Sequence, residues 1–250
     1  RTSIEEQGWT IYDGGLDCGI NLQTIVYLQG ASMNPNNGEE NLMRDDLRVA
    51  GVLPTTSPYT DALTCSSNVF NTTGQNAIVD WIWLELRDKI DGITVIASTS
   101  ALIQRDGDIV DVDGVSPLTF PSITPNDYYI VVSHLNHLGI ISNNAVNISG
   151  ITTVDLSSDS SSVSGGLNAI KDMGNGKFAL FAGDFNGDGQ VQNTDKNAVE
   201  RLLGISGYSH ADLDMNGEVQ NTDLNSVLNP NLGKGEQYTG KKLFANRIKK

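Results

Sequence analysis

Two stretches of the sequence place oxygen-bearing side chains at alternate positions, and these are the residues best suited to chemistry. The first runs from Asp184 to Asp195, and the second runs from Asp212 to Asp223, 28 residues later. Ca²⁺ takes about six to eight oxygen ligands, and a twelve-residue loop delivers them from positions 1, 3, 5, 7, 9 and 12. The predicted ligands are Asp184, Asn186, Asp188, Gln190, Gln192 and Asp195 in the first loop, and Asp212, Asp214, Asn216, Glu218, Gln220 and Asp223 in the second. The spacing therefore predicts two calcium ions as cofactors.

The remaining loop positions agree with this interpretation. Glycine stands at position 6, where the loop turns sharply, as Gly189 and Gly217. Position 8 is valine in both loops, and we expect Val191 and Val219 to pack inward between the paired loops. Three carboxylates in each loop would repel one another without a cation, so metal binding and folding should be coupled. The run Val-Gln-Asn-Thr-Asp occurs in both loops, which marks an internal repeat.

The charge balance narrows the possible partners. The chain has 30 acidic against 16 basic residues and a net charge of −14, so it repels phosphate backbones and nucleic-acid binding is excluded. No apolar run is long enough to span a bilayer. Cys18 and Cys65 predict one disulfide in an oxidising compartment, the alternative being two unpaired small residues in a core.

The rest of the chain is predicted to be mainly β. Apolar residues alternate within short segments, and turns rich in Gly, Pro, Asn and Asp separate these segments at short intervals, which is typical of a β-sandwich. The fold class is therefore a β-sandwich domain followed by a small α domain with two EF-hand-type calcium loops. The predicted limits are 1–19 for a leader segment, 20–156 for the β-sandwich, 157–180 for a linker and final strand, 181–232 for the calcium domain and 233–250 for a C-terminal tail.

The repeated loop, each copy followed by one helix, resembles the dockerin repeat. The resemblance implies calcium-dependent folding and, for cellulosomal members, docking to a cohesin. In that family loop positions 10 and 11 help to choose the partner, and here they are Asn193, Thr194, Asn221 and Thr222. The close spacing of the repeats, and Pro230 soon after the second loop, predict a curtailed second helix. These departures favour a built-in stabilising module over a docking module.

The β-rich part resembles a domain found near the C-termini of large secreted proteins of Bacteroidota, where a dockerin-like repeat commonly follows it. The resemblance rests on runs such as MRDDLR, VDWIWLELRD and VVSHLNHLGI. It implies export by the type IX secretion system and a location outside the cell or on its surface. The resemblance implies no established biochemical activity.

Three other groups of residues are candidate sites. Asp106, Asp108, Asp111 and Asp113 could hold a further calcium ion, or could simply form a solvated acidic hairpin. Trp81 and Trp83 should project from one face of a strand, where they would stack on a sugar or be covered by loops or by the calcium domain. His134 and His137 should lie on opposite faces of a strand, where they pack and form hydrogen bonds instead of sharing a metal.

No catalytic constellation stands out, so the chain is expected not to be an enzyme. The favoured function is a calcium-binding extracellular module for surface adhesion, display or assembly of a larger secreted protein, whose partners are other domains or proteins at the cell surface. One alternative is a carbohydrate-binding module that uses Trp81 and Trp83 on a glycan. The other is a dockerin-type module for a cohesin-like partner.

Overall fold

The structure, a computed structural model, describes residues 19–239 and shows a fold that is mainly β with a few short helices. The predicted fold class is confirmed at this level. The predicted leader lies outside the described residues except for Gly19, and so do residues 240–250 of the predicted tail. Cys65 is half-buried, whereas Cys18 lies outside the described residues, so the disulfide stays a prediction.

Nine strands form one large sheet, in which every pairing is antiparallel except that of β1 with β9. Its strands are β1 (Ile20–Ile25), β2 (Ile78–Asp88), β3 (Val95–Gln104), β4 (Asp108–Val110), β5 (Leu118–Phe120), β6 (Asn126–Ser133), β7 (Ile140–Ile141), β8 (Val146–Ile148) and β9 (Ile151–Asp155). The hydrogen-bonded path runs β5-β1-β4-β3-β2-β6-β7, with β8 also on β6 and β9 also on β1. Only residues 149 and 150 separate β8, which pairs with β6, from β9, which pairs with β1, so the two sides of the sheet come close together. The sheet therefore curls over and encloses the main core.

Strand β2 lies at the centre of the sheet, and both of its faces are buried. Trp81 is fully buried and Trp83 is 4% exposed. The indole N–H of Trp81 donates to the carbonyl of Pro54 at 2.8 Å, and that of Trp83 donates to the Glu85 carboxylate at 3.0 Å. Neither ring can stack on a sugar, so the carbohydrate-binding alternative loses the residues on which it rested. The loop before β2 covers both rings. Burying a tryptophan removes a large apolar surface from water and so stabilises the fold.

The segment predicted as a linker is part of the packed structure. It carries β10 (Ile170–Asp172) and β11 (Phe178–Leu180), which form a two-stranded antiparallel sheet. Val163, Ile170 and Leu180 belong to the main hydrophobic core. The polar run before β10 is therefore held against the sheet. The domain limits given above remain predictions.

The helices are short. They are α1 (Gln29–Ser32), α2 (Asp46–Val49), α3 (Asn193–Glu200) and α4 (Asn229–Asn231), with single 3₁₀ turns at Ser67–Asn71, Gly74–Asn76, Ser160–Ser162 and Gly166–Asn168. Helix α3 follows the first acidic loop. A π-helical turn, Asp223–Leu228, follows the second loop and runs directly into α4. Within residues 19–239 no helix is long and apolar enough to cross a membrane.

The π-helical turn explains how the second repeat differs from the first. Gly233 stands ten positions after Asp223, whereas Gly204 stands nine positions after Asp195. The backbone N–H of Asn229 bonds to the carbonyl of Leu224, five residues back, so the turn takes up the extra residue. The predicted end of this helix near Leu228 is wrong, because the widened turn lets the chain stay helical past Pro230.

The two repeats hold each other through reciprocal backbone pairing. Val191 in the first loop exchanges two hydrogen bonds of 2.9 Å with residues 233 and 234, which follow the second helix. Val219 in the second loop exchanges two of 2.8 Å with residues 204 and 205, which follow the first helix. Both valine side chains are buried in a second hydrophobic cluster, which confirms the prediction that they pack inward.

This second cluster is joined to the β domain by a close backbone contact. Gly30 in α1 lies so near Leu213 that a Cβ atom at Gly30 would collide with the Leu213 carbonyl oxygen. Leu138, which follows β6, belongs to the same cluster as Leu213. The acidic repeat therefore packs directly against the β domain, although its hydrophobic cluster is separate from the main core.

The variant Gly30→Ala should separate the second loop from α1. Because the collision is with backbone, we expect a loss of about 2–3 kcal/mol of unfolding free energy, measured by urea denaturation. Hydrogen exchange should rise in residues 212–223. Gly51→Ala is the control, since its φ of +67° disfavours alanine but its Cβ would meet nothing within 4 Å, so it destabilises the fold without a clash. Equal effects of the two variants on exchange in residues 212–223 would argue against the contact.

Candidate metal centre

The second acidic loop brings three carboxylates together. Oxygen atoms of Asp212, Asp214 and Asp223 all lie within 4.8 Å of one another, and no other His, Cys, Asp or Glu cluster in residues 19–239 meets this criterion. These residues occupy loop positions 1, 3 and 12, where a calcium loop supplies side-chain oxygens. All three are buried. The spacing of the second loop thus predicted correctly that these three carboxylates lie close together.

The backbone of the loop fixes two of the three carboxylates. Asp212 accepts hydrogen bonds from the N–H groups of Asn216 and Gly217, at 3.0 and 2.7 Å. The Asp223 carboxylate accepts three more, from the N–H groups of Leu213, Asp214 and Gln220. Positive φ at Gly217 lets the chain turn so that its N–H faces Asp212.

The third carboxylate shows that the residues fit a cation. Asp214 is 8% exposed, and its Oδ1 atom is buried without a hydrogen-bond partner in the described structure. A buried charged oxygen without a partner is costly, and a hard cation satisfies carboxylate oxygens directly. The donor set of the second loop, three carboxylates with further oxygens nearby, is the kind that Ca²⁺ prefers.

Crowding of these groups changes their acidity. The pKa of Asp212 is raised to about 7, chiefly by burial and also by the charges of Asp223 and Asp214. Burial, with the charge of Asp214, also raises the pKa of Asp223. The loop can therefore hold three negative charges without a cation only at a cost in free energy.

The first loop has the same backbone scaffold but a more open centre. Asp195 accepts hydrogen bonds from the N–H groups of Asn186 and Gln192, both at 2.9 Å, as Asp223 does from the equivalent residues. Asp188 is exposed, and the Asn186 side-chain amide donates to it at 3.0 Å. Burial and the charges of Asp184 and Asp188 raise the pKa of Asp195. The six ligands of this loop stay a prediction, as do Asn216, Glu218 and Gln220 in the second.

Side chains from the β domain hold the backbone of the second loop. Arg44, just before α2, donates to the carbonyls of Asp214 and Gly30, at 2.5 and 3.1 Å. Asn136, in the loop after β6, donates to the carbonyls of Asp212 and His210, at 2.9 and 3.1 Å. Two residues that carry loop carboxylates are therefore fixed from outside the loop.

A buried polar network continues from this contact into the sheet. The Nδ1 atoms of His134 and His137 lie 2.9 Å apart, and His134 Nε2 lies 3.1 Å from Asp80. Tyr208, four residues before the second loop, donates to the same carboxylate at 2.8 Å. The prediction that the two histidines lie on opposite faces of a strand is wrong, because β6 ends at Ser133 and the chain then turns. Their predicted role in packing and hydrogen bonding agrees with the structure.

The other acidic candidate, Asp106 to Asp113, does not form a metal-binding cluster. Its side chains bond to nearby groups instead: Asp108 accepts from Gln23 at 3.0 Å, and Asp113 accepts from the N–H groups of Val115 and Ser116. The remaining two, Asp106 and Asp111, accept from the backbone within the same hairpin. These contacts favour the acidic-hairpin alternative, while a further calcium ion at these four aspartates stays a prediction.

The predicted partner-binding residues lie at the surface. Asn193, Thr194, Asn221 and Thr222 are all exposed. An open groove of about 360 Å³ runs beside the first pair only, and Leu232 and Gly233 form part of its wall. Leu232 is 40% exposed.

Sequence reasoning missed the residues that join the loop to the β domain. Gly30, Arg44 and Asn136 lie more than 70 residues before the loop they contact. Nothing in their local pattern indicates a contact at that distance, although Arg44 falls within the MRDDLR run that carries the resemblance to the Bacteroidota domain.

Comparison with known proteins leaves the family open. No protein-family model matches the chain, and no curated protein matches it. Among solved structures, a chain from a type II cohesin–X-dockerin complex of Acetivibrio cellulolyticus, a mutant of the C-terminal interface, is 11% identical with a TM-score of 0.45. The corresponding N-terminal interface mutant is 10% identical with a TM-score of 0.43. In both comparisons the alignment covers 87% of this chain and 97% of the other. Likenesses of this size assign neither fold nor function.

Calcium binding should depend on Asp214. We expect titration calorimetry of the metal-free protein to detect two ions per chain. Asp214→Asn should weaken the site in the second loop at least about tenfold, or about 1.4 kcal/mol, because one of three converging charges is lost. Asp113→Asn is the control, since it removes the same charge from an exposed aspartate that lies outside the cluster. If the two variants bound calcium with equal affinity, Asp214 would not be a ligand of the site.

Proposed function

We propose that this chain is a calcium-stabilised, non-enzymatic extracellular module that serves adhesion, display or assembly of a larger secreted protein. The observation that supports this most strongly is the second loop. Three buried carboxylates converge there, one carboxylate oxygen has no hydrogen-bond partner in the described structure, and side chains of the β domain hold the loop backbone. Calcium at this position would fasten the acidic repeat onto the curled sheet.

The arrangement favours a structural role for the ion. The three carboxylates are buried, and the backbone of their loop is bonded to Arg44 and Asn136. A catalytic metal keeps an open position for substrate, whereas a structural metal is enclosed by protein ligands. Binding an ion at such a site adds its binding free energy to the stability of the fold. Location outside the cell agrees with this role, because calcium-binding modules are also found in extracellular proteins.

Chelation should therefore destabilise the whole module. A site saturated about 1,000-fold above its Kd contributes about 4 kcal/mol, which corresponds to roughly 10 °C in Tm for a chain of this size. We expect EDTA to lower the calorimetric Tm by about that amount, and excess Ca²⁺, but not equal Mg²⁺, to restore it. Hydrogen exchange in EDTA should increase at residues 30 and 136 as well as in the acidic loops. An unchanged melt in EDTA would overturn the proposed function.

A second candidate function is docking of a protein partner at the groove beside Asn193 and Thr194. The exposed Leu232 and the polar pair provide apolar and hydrogen-bonding contacts on one surface. We expect a purified cohesin domain, tested by surface plasmon resonance in calcium, to bind the chain and to lose at least about tenfold in affinity with Thr194→Arg. Thr222→Arg is the matched control, because it lies at the same loop position but outside the groove. No binding, or equal loss in both variants, would exclude docking at this groove.

A further inference from the structure

Within residues 19–239, strand β3 presents a hydrogen-bonding edge that no other strand covers along residues 95–99. It pairs with β2 along most of its length, but on its other side it pairs with β4 only at Leu102 and Ile103. Asp61 covers the edge at Ser100, where its carboxylate accepts from the Ser100 N–H at 2.7 Å and from the Ser100 hydroxyl. Between the start of β3 and Ser100, no strand of the described structure lies on that side.

The direction of the free backbone groups follows from Ser100. Its N–H bonds to Asp61, so it points away from β2, and alternate residues of a strand point their backbone groups the same way. The N–H and carbonyl of Ser98 therefore face solvent. Ile96 has no partner in the register with β2, because a bulge lies between the pairs Leu86–Ala97 and Arg87–Val95.

Exposed apolar side chains surround this edge. Ile90 is 88% exposed and Ile93 is 53% exposed, both in the turn that precedes β3. Val95 and Ile96 are exposed on the strand itself, and Leu63 is exposed in the loop that carries Asp61. The run from Val95 to Ser100 carries no charge. Proteins usually protect such edges with charges, prolines or covering loops, so an open, apolar and uncharged edge indicates a surface that pairs with another strand.

The charges around the edge are mostly acidic. Asp61, Asp88 and Asp91 lie at its two ends. The nearby cations are paired with acids, Arg87 with Glu85 at 2.7 Å and Lys89 with Asp127 at 3.7 Å. A partner strand with basic residues beside its apolar ones would complement this rim, whereas a second copy of a chain with net charge −14 would be repelled.

We propose that the free edge of β3, residues 95–99, binds an extended peptide segment of another protein by strand addition. The segment has apolar side chains at alternate positions and lysine or arginine at its ends. Main-chain hydrogen bonds to Ser98 supply the pairing, the exposed isoleucines receive the apolar side chains, and Asp61 and Asp91 receive the basic ends. This site is separate from the calcium loops and does not depend on their function.

The test uses the full chain in calcium and a fluorescein-labelled peptide of sequence Lys-Val-Thr-Ile-Ser-Val-Lys, followed by fluorescence anisotropy. Ser98→Pro removes the outward N–H but no hydrogen bond of the sheet, so it should keep the fold and weaken binding at least about tenfold. Ile96→Lys should do the same by adding a positive charge at the edge. Val115→Lys, at an exposed apolar residue elsewhere, should bind as the parent does.

Two further measurements locate the interaction. Peptide binding should slow hydrogen exchange at residues 96–98, and a peptide with proline in place of its central isoleucine should not bind. Asp91→Asn keeps the turn acceptor but removes its charge, so it should weaken binding less than Ile96→Lys and reduce its salt dependence. Far-UV circular dichroism of each variant checks the fold.

Three outcomes would overturn the proposal. The peptide could fail to bind at millimolar concentration, or bind Ser98→Pro and Ile96→Lys as tightly as the parent. Light scattering could instead show a dimer of the parent chain that Ile96→Lys dissociates, in which case the edge pairs with a second copy of this chain.

Discussion

Mutual repulsion of three buried carboxylates is the constraint on which the acidic repeat depends. Asp212, Asp214 and Asp223 have oxygens within 4.8 Å of one another. All three residues are buried, so solvent screens their repulsion only weakly. Backbone N–H groups offset part of this cost, because five of them point at Asp212 and Asp223. Those N–H groups can point inward only if the loop keeps its shape, so loop geometry and charge are fixed together.

The rest of the molecule preserves that shape in two ways. Within the repeat, each loop is paired with the segment that follows the other repeat's helix, so neither half can open alone. Outside it, Arg44 and Asn136 bond to loop carbonyls, and the close contact at Gly30 leaves no space for an added side chain. A change in the shape of the second loop would therefore alter its direct contacts with the β domain.

Periodicity and loop spacing predicted the local features of this chain well. Position 8 of each loop packs inward as predicted. The sequence left two alternatives for Trp81 and Trp83, stacking on a sugar or burial, and the structure shows burial. Alternation alone could not decide between them, because Glu85 and Arg87 on the same strand form a buried ion pair at 2.7 Å. A polar residue whose charge is matched in the interior gives the same sequence pattern as an exposed one.

Predictions that depended on distant contacts could not be made from one sequence. The strand predicted through His134 and His137 ends earlier because the chain turns to meet α1, and α1 lies more than 100 residues away. The segment before β10 reads as a flexible linker from its serines, yet Val163 within it is buried by residues far away in the chain. Such contacts are set by the complete fold and not by local composition.

The single extra residue in the second helix bears on the history of the repeat. Two copies that arose by duplication begin identical, and an insertion within a helix would rotate everything after it by about 100°. Here the π-helical turn absorbs the insertion, so Gly233 still meets Val191 as Gly204 meets Val219. The pairing is therefore the same in both halves, although the surfaces beside them differ. The repeat is therefore symmetrical in its interior and asymmetrical in what it presents to other molecules, which allows one half to acquire a new role while the other retains the structure.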